Sequence, residues 1–221
     1  MRRLHDPERV ISLSFAGLEL SAFSISGLAT YVVVPSFDAC FDLGHCSVKA
    51  SQQRHVLLSH VHQDHALGVV RHLSLRAMTG AKPSRVFVPD ESRAGLLEVL
   101  RAHERLEGRS PQDLEAMVKG VRADEVFALS PQRTVRAFDV VHRIASRGYT
   151  VTERRRKLLP AFEGLPGEAI RDARARGEEV YAHHEVDLFT YVGDSTIETL
   201  ERHPEVGRSQ VLFLEATHLP G

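Results

Sequence analysis

Residues 57–70 read LLSHVHQDHALGVV, and within them His60, His62, Asp64 and His65 stand inside six positions, directly after an apolar run. Three imidazoles and a carboxylate so close together can hold metal. Side chains two apart in a strand point to the same side, so His60 and His62 can face one ion. Asp64 and His65 follow where the chain curls into a helix starting near Ala66, and from there they can turn towards a second ion. Zinc accepts neutral imidazole and carboxylate oxygen and keeps an open position for water at catalytic sites. A lone histidine is usually solvated, and a chance polar cluster on a surface loop is the competing reading. The H-x-H-x-D-H spacing after a buried run favours metal.

The rest of the chain must supply the frame. With 221 residues, 43% of them hydrophobic and 26% charged, it suits one domain with a real core. No apolar run approaches the ~20 residues that span a bilayer. The opening MRRLHDPERV is charged but lacks the apolar stretch and cleavage site of a signal peptide, so a cytoplasmic protein is the default. Cys40 and Cys46 form no C-x-x-C pair and are expected as reduced, partly buried thiols. The net charge of −1 offers no global field for a polyanion, so any nucleic-acid contact must come from a local patch.

Strand-like runs broken at Gly17 and Gly27 fill VISLSFAGLELSAFSISGLATYVVV, and CFDLG and HVLLSH continue them. DHALGVVRHLSLRAMTG has helical spacing and stops at Gly80; SRVFVP is a strand and ESRAGLLEVLRAHERLEG a second amphipathic helix. VRADEVFALS, RTVRAFDVVH, GYTVTER, LFTYVGDS and VLFLEATH are strand candidates. STIETLERHPEV is a helix entered through Ser195 and ended near Pro204. Residues 154–180 differ, with a basic run, two prolines and a polar helix closed by Gly177. Strands and helices intermingle, which predicts a layered α/β domain.

Several segments extend the histidine motif into a family pattern. H-x-H-x-D-H in a strand-to-helix setting resembles the signature of the metallo-β-lactamase superfamily, and the remaining segments resemble its ribonuclease Z family. FDLGHCS is similar to the strand and turn before the motif. VHRIASRGYTVTE resembles the segment in which a ligand histidine precedes a Ser-x-Gly-Tyr turn. YVGDS resembles the Gly-Asp segment with a bridging aspartate, and LEATH the Glu-Ala-Thr segment. RRRKLLPAFEGLPGEAIRDARARGEEV is similar to the short-arm type known from plants and some bacteria.

The resemblance implies an αββα sandwich formed by residues 1–221 as a single domain, with 154–180 as a short basic arm inserted in it. It implies two zinc ions: His60, His62 and His142 on one, Asp64 and His65 on the other, and Asp194 bridging. Asp64 would also orient or deprotonate water. Glu215 would act behind these ligands, orienting a ligand or catalytic histidine. Two ions sharing a carboxylate can acidify water and polarise a phosphoryl oxygen. The implied reaction is endonucleolytic removal of 3′ trailers from precursor tRNA, by a homodimer. Arg143 and Arg147, beside His142, and Arg154, Arg155, Arg156 and Lys157 are candidate RNA contacts, with a solvated charged face as the alternative for the basic run. His45, His55, His183, His184 and His218 fall outside the ligand pattern and are expected at the surface or at strand edges.

One departure stands out. The family pattern has two further histidines downstream of Glu-Ala-Thr, and this sequence reaches Gly221 without them. The expectation is a fold truncated at its C-terminal end and a natural chain that continues past Gly221. A phosphodiesterase on other RNA or nucleotide substrates, and a degenerate relative that binds RNA or a partner without cutting, are the alternatives.

Overall fold

The computed structural model describes residues 10–108 and 111–215. The first sheet contains β1 (Ile11–Phe15), β2 (Leu18–Ile25), β3 (Ala29–Val34), β4 (Ala39–Phe41), β5 (His55–Leu57), β6 (Arg85–Pro89) and β7 (Val118–Val121), in that spatial order. Its first four strands run antiparallel, and β4 to β7 are parallel neighbours. The second sheet contains β8 (Val126–Ser130), β9 (Arg133–Asp139), β10 (Arg147–Leu158), β11 (Tyr181–Val192) and β12 (Val211–Leu214). There β8 to β11 form an antiparallel meander, and β12 lies parallel to β11 at the edge.

Two periodicities build the layers. In the apolar run Val56-Leu57-Leu58, Leu57 enters the core between the sheets while Val56 and Leu58 face the other way, as a strand's alternation requires. The inter-sheet core joins Phe41, Leu57 and Phe87 to Phe127, Tyr149, Phe189 and Tyr191. On the outer face of the first sheet lie α1 (Val48–Gln52), α2 (Gln63–Ala66), α3 (Gly68–Met78), α4 (Asp90–Glu107) and α5 (Leu114–Met117). They contribute Ala50, Ala66, Val69, Leu73, Leu97, Leu100 and Leu114 to a second core with Phe23, Tyr31 and Val88. Beyond the second sheet, α7 (Ile197–Arg202) packs Leu200 against Phe138, Val140, Val192 and Val206. The result is an αββα sandwich, the layering that the family resemblance implies. At the edge, Ile11, Leu13 and Phe15 share a face with the buried Leu18, Leu20 and Ala22 but remain exposed, so the first sheet extends past its cover.

Three local expectations need correction. The helix expected over the stretch ending at Gly80 is two helices broken at Leu67, where the Gly68 backbone lies so close to the Leu43 carbonyl that a Cβ would stand 2.4 Å from it. The helix after Asp194 is preceded by Thr196 rather than Ser195 at its cap position, and no side chain caps it. The basic run belongs to β10, which continues to Leu158. Its last five residues find strand partners only in β11, as Arg154↔Glu185, Arg155↔His184, Arg156↔His183, Lys157↔Ala182 and Leu158↔Tyr181, with the Arg154 N–H still donating to Gln132 O on the other side. They form a two-stranded ribbon, followed by a short 3₁₀ turn (Pro160–Phe162) and α6 (Gly167–Ala175).

Candidate metal centre

Five strands deliver the polar residues to one rim. Asp42 follows β4, His60 and His62 follow β5, His142 follows β9, Asp194 follows β11 and Glu215 follows β12. β4 and β5 are parallel, β11 and β12 are parallel, and β9 runs with β11 because both are antiparallel to β10. C-terminal ends of strands therefore gather at one side of the sandwich, where loops can offer side chains to a shared ligand.

Asp42 organises the base of this site, and the sequence reading gave it no role. It is fully buried in the left-handed backbone region (φ 50°), which aspartate tolerates better than most residues. Its Oδ1 accepts the Ser59 N–H at 2.6 Å. Its Oδ2 accepts Ser59 Oγ–H at 2.7 Å, Tyr191 O–H at 2.6 Å and the His65 Nδ1–H at 2.8 Å. Because the Ser59 hydroxyl has given its one proton to Asp42, His60 Nδ1, 2.9 Å from Ser59 Oγ, must be the donor in that contact. One carboxylate thus sets both imidazole tautomers and turns His60 Nε2 and His65 Nε2 into the site. Such outer partners orient ligands at metal sites generally. The close seat of Gly193 keeps the Asp194 loop against this hub, since a Cβ there would lie 2.6 Å from Ser59 Oγ.

His60 Nε2 lies 2.9 Å from His62 Nδ1, and His142 Nε2 lies 3.3 Å from the same atom. With Asp194 these three histidines bring one donor atom each within 4.8 Å of one another. Tetrahedral zinc with bonds of about 2.0–2.1 Å would hold its nitrogens about 3.4 Å apart. The spacing and the N₃O donor set both fit that ion. Burial and the neighbouring imidazoles push His60 down to about 3 against the opposing charge of Asp42. Burial likewise lowers His142. Both are neutral near pH 7, the form that ligates.

A second group joins His65, Asp194 and Glu215. His65 Nε2 stands 3.7 Å from Asp194 Oδ1 and 3.8 Å from Asp64 Oδ2, which also accepts the Gly27 N–H at 2.8 Å. Burial alone would lower His65, but the hydrogen bond and charge of Asp42 overcome it and raise the imidazole to about 9. Burial dominates at Glu215 and raises its carboxyl, with Ser24 opposing.

The candidate RNA contacts separate. Arg143 is at the mouth, its Nη2 3.1 Å from His62 Nε2. Ligation through His62 Nδ1 would place the imidazole proton on Nε2 and release that contact. Arg147 is buried, contrary to the expectation of an RNA-facing side chain. Its Nη2 donates to both Glu91 oxygens at 2.8 and 2.9 Å, and Nη1 pairs with Asp139 at 2.9 Å. Asp139 and Arg147 face each other in the β9–β10 register, so this pair closes the base of the loop that carries His142. An arginine beside a candidate ligand histidine suggests a substrate contact from sequence, because neither acid is near it in the chain. Arg154, Arg155, Arg156 and Lys157 are exposed on the ribbon; Arg155 pairs with Glu153 at 2.7 Å and Arg156 lies over the Tyr181 ring.

Among the histidines outside the pattern, His183 and His184 are exposed on the ribbon, but His55 is buried at the start of β5, contrary to expectation. His218 lies outside the described residues. Cys40 and Cys46 are free and buried.

No family model matches the chain. It is similar to a chloroplastic tRNase Z of Arabidopsis thaliana, 30% identical over 210 residues that make up 92% of this chain and 58% of the relative. A second tRNase Z of that plant is 27% identical over 96% of this chain and 75% of the relative. A nuclear ribonuclease Z of Triticum aestivum is 29% identical over 76% of this chain and 94% of the relative. The chain thus spans little more than half of the first relative's length. Among solved structures, the short form of human tRNase Z aligns with 65% of this chain and 63% of that one, at 17% identity and a TM-score of 0.42.

Proposed function

We propose that this chain is a member of the ribonuclease Z family and acts as a zinc-dependent endoribonuclease removing 3′ trailers from precursor tRNA, a reading supported by its similarity to the plant tRNase Z proteins. The observation that supports it most is the convergence of His60, His62, His142 and Asp194, with His65 and Asp64 adjoining, at one rim of the sandwich. His60, His62, His142 and Asp194 would hold one ion; Asp64, His65 and Asp194 would hold a second. Bound there, the ions supply Lewis-acid activation of water and of a phosphoryl oxygen.

The chain's own groups do the positioning. Asp42 keeps His60 and His65 in the tautomers that offer Nε2 to the site. Thr199 Oγ1 accepts the Val141 N–H, and the Thr196 N–H donates to Val141 O, so the segment after Asp194 holds the loop bearing His142. Asp64 is where a carboxylate can accept a proton from attacking water. Arg143, once freed from His62, is placed to meet a phosphate at the mouth. Asp64→Ala should lower turnover about 10²–10⁴-fold, the usual weight of a positioned acid–base group, while changing RNA affinity far less. Single-turnover cleavage beside filter binding measures both; equal losses in the two would give Asp64 a different role.

The ribbon carries the proposed RNA contacts. RNA duplexes are read mainly by shape and backbone, and four cations on an exposed two-stranded ribbon suit a phosphate track. Replacing Arg154, Arg155 and Arg156 together with alanine should weaken precursor binding and flatten its salt dependence. Each lost phosphate contact should remove about 0.7–0.9 from the log–log slope. An unchanged slope would return these arginines to a merely solvated face.

A homodimer belongs to the same proposal. Leu67 and Val99, exposed to 60% and 52%, flank an apolar groove of about 440 Å³ between α2 with the start of α3 on one side and α4 on the other, the surface we assign to it. Cytoplasmic residence is also proposed; no helix among the described residues is long and apolar enough to cross a membrane. The direct test of function is cleavage of a trailer-bearing precursor tRNA beside a simple phosphodiester, with zinc content measured on the same preparation. Hydrolysis of the simple ester without trailer removal would favour a phosphodiesterase on other substrates. Metal binding without either reaction would favour a non-catalytic binding protein.

A further inference from the structure

We propose that Glu215 is itself a ligand of the second metal ion in this chain, through Oε2, and that this site prefers a harder cation than the first. The inference rests on the binuclear reading above and adds to it a donor and a metal preference.

Glu215 is buried, with 8% exposure, and its two oxygens have different surroundings. Oε1 accepts Ser24 Oγ–H at 2.7 Å and Thr30 Oγ1–H at 3.1 Å. Oε2 is buried with no hydrogen-bond partner. A buried acceptor left bare costs about 1–3 kcal/mol, and more when charged, so such a group needs a reason. The reason lies in what it faces. Glu215, His65 and Asp194 each place a donor atom within 4.8 Å of the others. His65 has committed Nδ1 to Asp42 and can offer Nε2, while Asp194 Oδ1 stands 3.7 Å from that nitrogen. Once His65 Nε2 gives up its proton, three donor atoms converge there, and a cation that displaces the proton satisfies all of them at once, Oε2 included.

The backbone makes this placement rigid. β12 lies parallel to β11 with Leu214 opposite Val192, and the Glu215 N–H donates to Val192 O at 3.0 Å. Glu215 is thereby set beside the turn carrying Asp194, two residues beyond Val192. The two hydroxyls on Oε1 hold the carboxylate plane and leave only Oε2 to rotate towards the site. Among the described residues the hydrogen-bond partners of Glu215's side chain are hydroxyls and not a histidine, so an orienting role for it has no object there.

The donor sets predict different metals. The first site offers three imidazoles and a carboxylate, which suits zinc. With Asp64, His65, Asp194 and Glu215, the second offers one imidazole and three carboxylates, a set that moves preference towards manganese. The competing occupant of the same pocket is a proton on Oε2.

The experiment is titration of the metal-free 221-residue chain with zinc chloride and with manganese chloride, reading stoichiometry by elemental analysis and bound manganese by its paramagnetic resonance. Wild type should bind two zinc ions, and with the first site zinc-filled it should bind one manganese. Glu215→Gln keeps the volume and the carbonyl that Ser24 and Thr30 need. It should retain the first zinc and weaken the second site at least ~10²-fold for both metals. Glu215→His restores a nitrogen donor and should recover zinc but not manganese. A measurement on wild type covers the case in which the variants fail to fold: with ¹³C-carboxyl-labelled glutamate, manganese should selectively broaden the Glu215 resonance. Two ions held with unchanged affinity by Glu215→Gln, or no such broadening in a wild type that holds two ions, would each overturn the assignment. A wild type that binds one ion or none would overturn the binuclear reading itself, so the two failures are distinguishable.

Discussion

His62→Ala is expected to remove zinc from the first site and hydrolytic activity with it, while leaving the fold in place. His62 Nδ1 is the atom the other two imidazoles share, 2.9 Å from His60 Nε2 and 3.3 Å from His142 Nε2. Without it, His60, His142 and Asp194 remain, too few to close a four-coordinate site without added water. The activity loss should exceed the ~10²–10⁴-fold of a positioned acid–base group, because the pair of ions that would share the work on water and phosphoryl oxygen is broken. Stability of the metal-free protein should hardly change, since His62 is half-exposed and belongs to no core cluster. Elemental analysis under non-chelating conditions, precursor cleavage and the melting curve of chelator-treated protein make the three readings. A variant that keeps a full zinc complement would refute the ligand set.

Asp42→Asn should be as damaging to the site and far more damaging to the fold. The amide replaces an acceptor by a donor where four donors already point: the Ser59 N–H and O–H, the Tyr191 O–H and the His65 Nδ1–H. It also leaves His65 without its counter-charge in the interior. Breaking a buried pair of this kind costs about 3–5 kcal/mol, and lost outer-sphere orientation typically costs a further 10–100-fold in metal affinity. The metal-free protein should show the pair in its pH profile. His65 is raised to about 9 from its ordinary 6.5, so its contribution is complete below pH 6.5 and is lost as pH rises through about 9. At Asp42 burial works to raise the carboxyl, but the bond to His65 outweighs it and the net direction is down. Its contribution is present above the ordinary value of 3.8 and is lost as pH falls below it. Urea unfolding of chelator-treated protein from pH 5 to 10 should therefore lose stability above pH 7 in wild type and change much less in Asp42→Asn. Parallel profiles for the two proteins would mean that the pair carries no such linkage.

How much of this was legible in the chain depends on how far each interaction reaches. The histidine motif was legible because its logic is local: an apolar strand with a two-residue period, then a turn into a helix, all inside fourteen residues. The alternation of buried strands and amphipathic helices was legible for the same reason, and it is enough to predict a layered α/β domain. Glu215 and His142 drew attention only through resemblance to a family, since an isolated Glu or His at a strand end has many ordinary uses.

Arg147 shows the limit from the other side. Next to a candidate ligand histidine it had the composition of a substrate contact, and only the β9–β10 register and the entry of α4 placed Asp139 and Glu91 around its guanidinium. His55 was equally unreadable, because the burial of a polar strand residue depends on what covers the sheet. The basic run could be seen as basic; that it is a ribbon depended on β11 extending beyond the sheet to pair with it.

By itself the sequence determined which residues can bind metal, the periods that fold them into strands and helices, and the net charge that leaves any nucleic-acid contact to a local patch. Tertiary structure alone decided which of those residues meet. Asp42 joins Ser59, His65 and Tyr191 across as many as 149 positions, and Glu215 reaches Ser24 across 191. The physical reason is that a ligand atom's partner and tautomer are set by strand order and register. Those arise from the whole hydrophobic pattern acting together, and no window of sequence around one residue contains them.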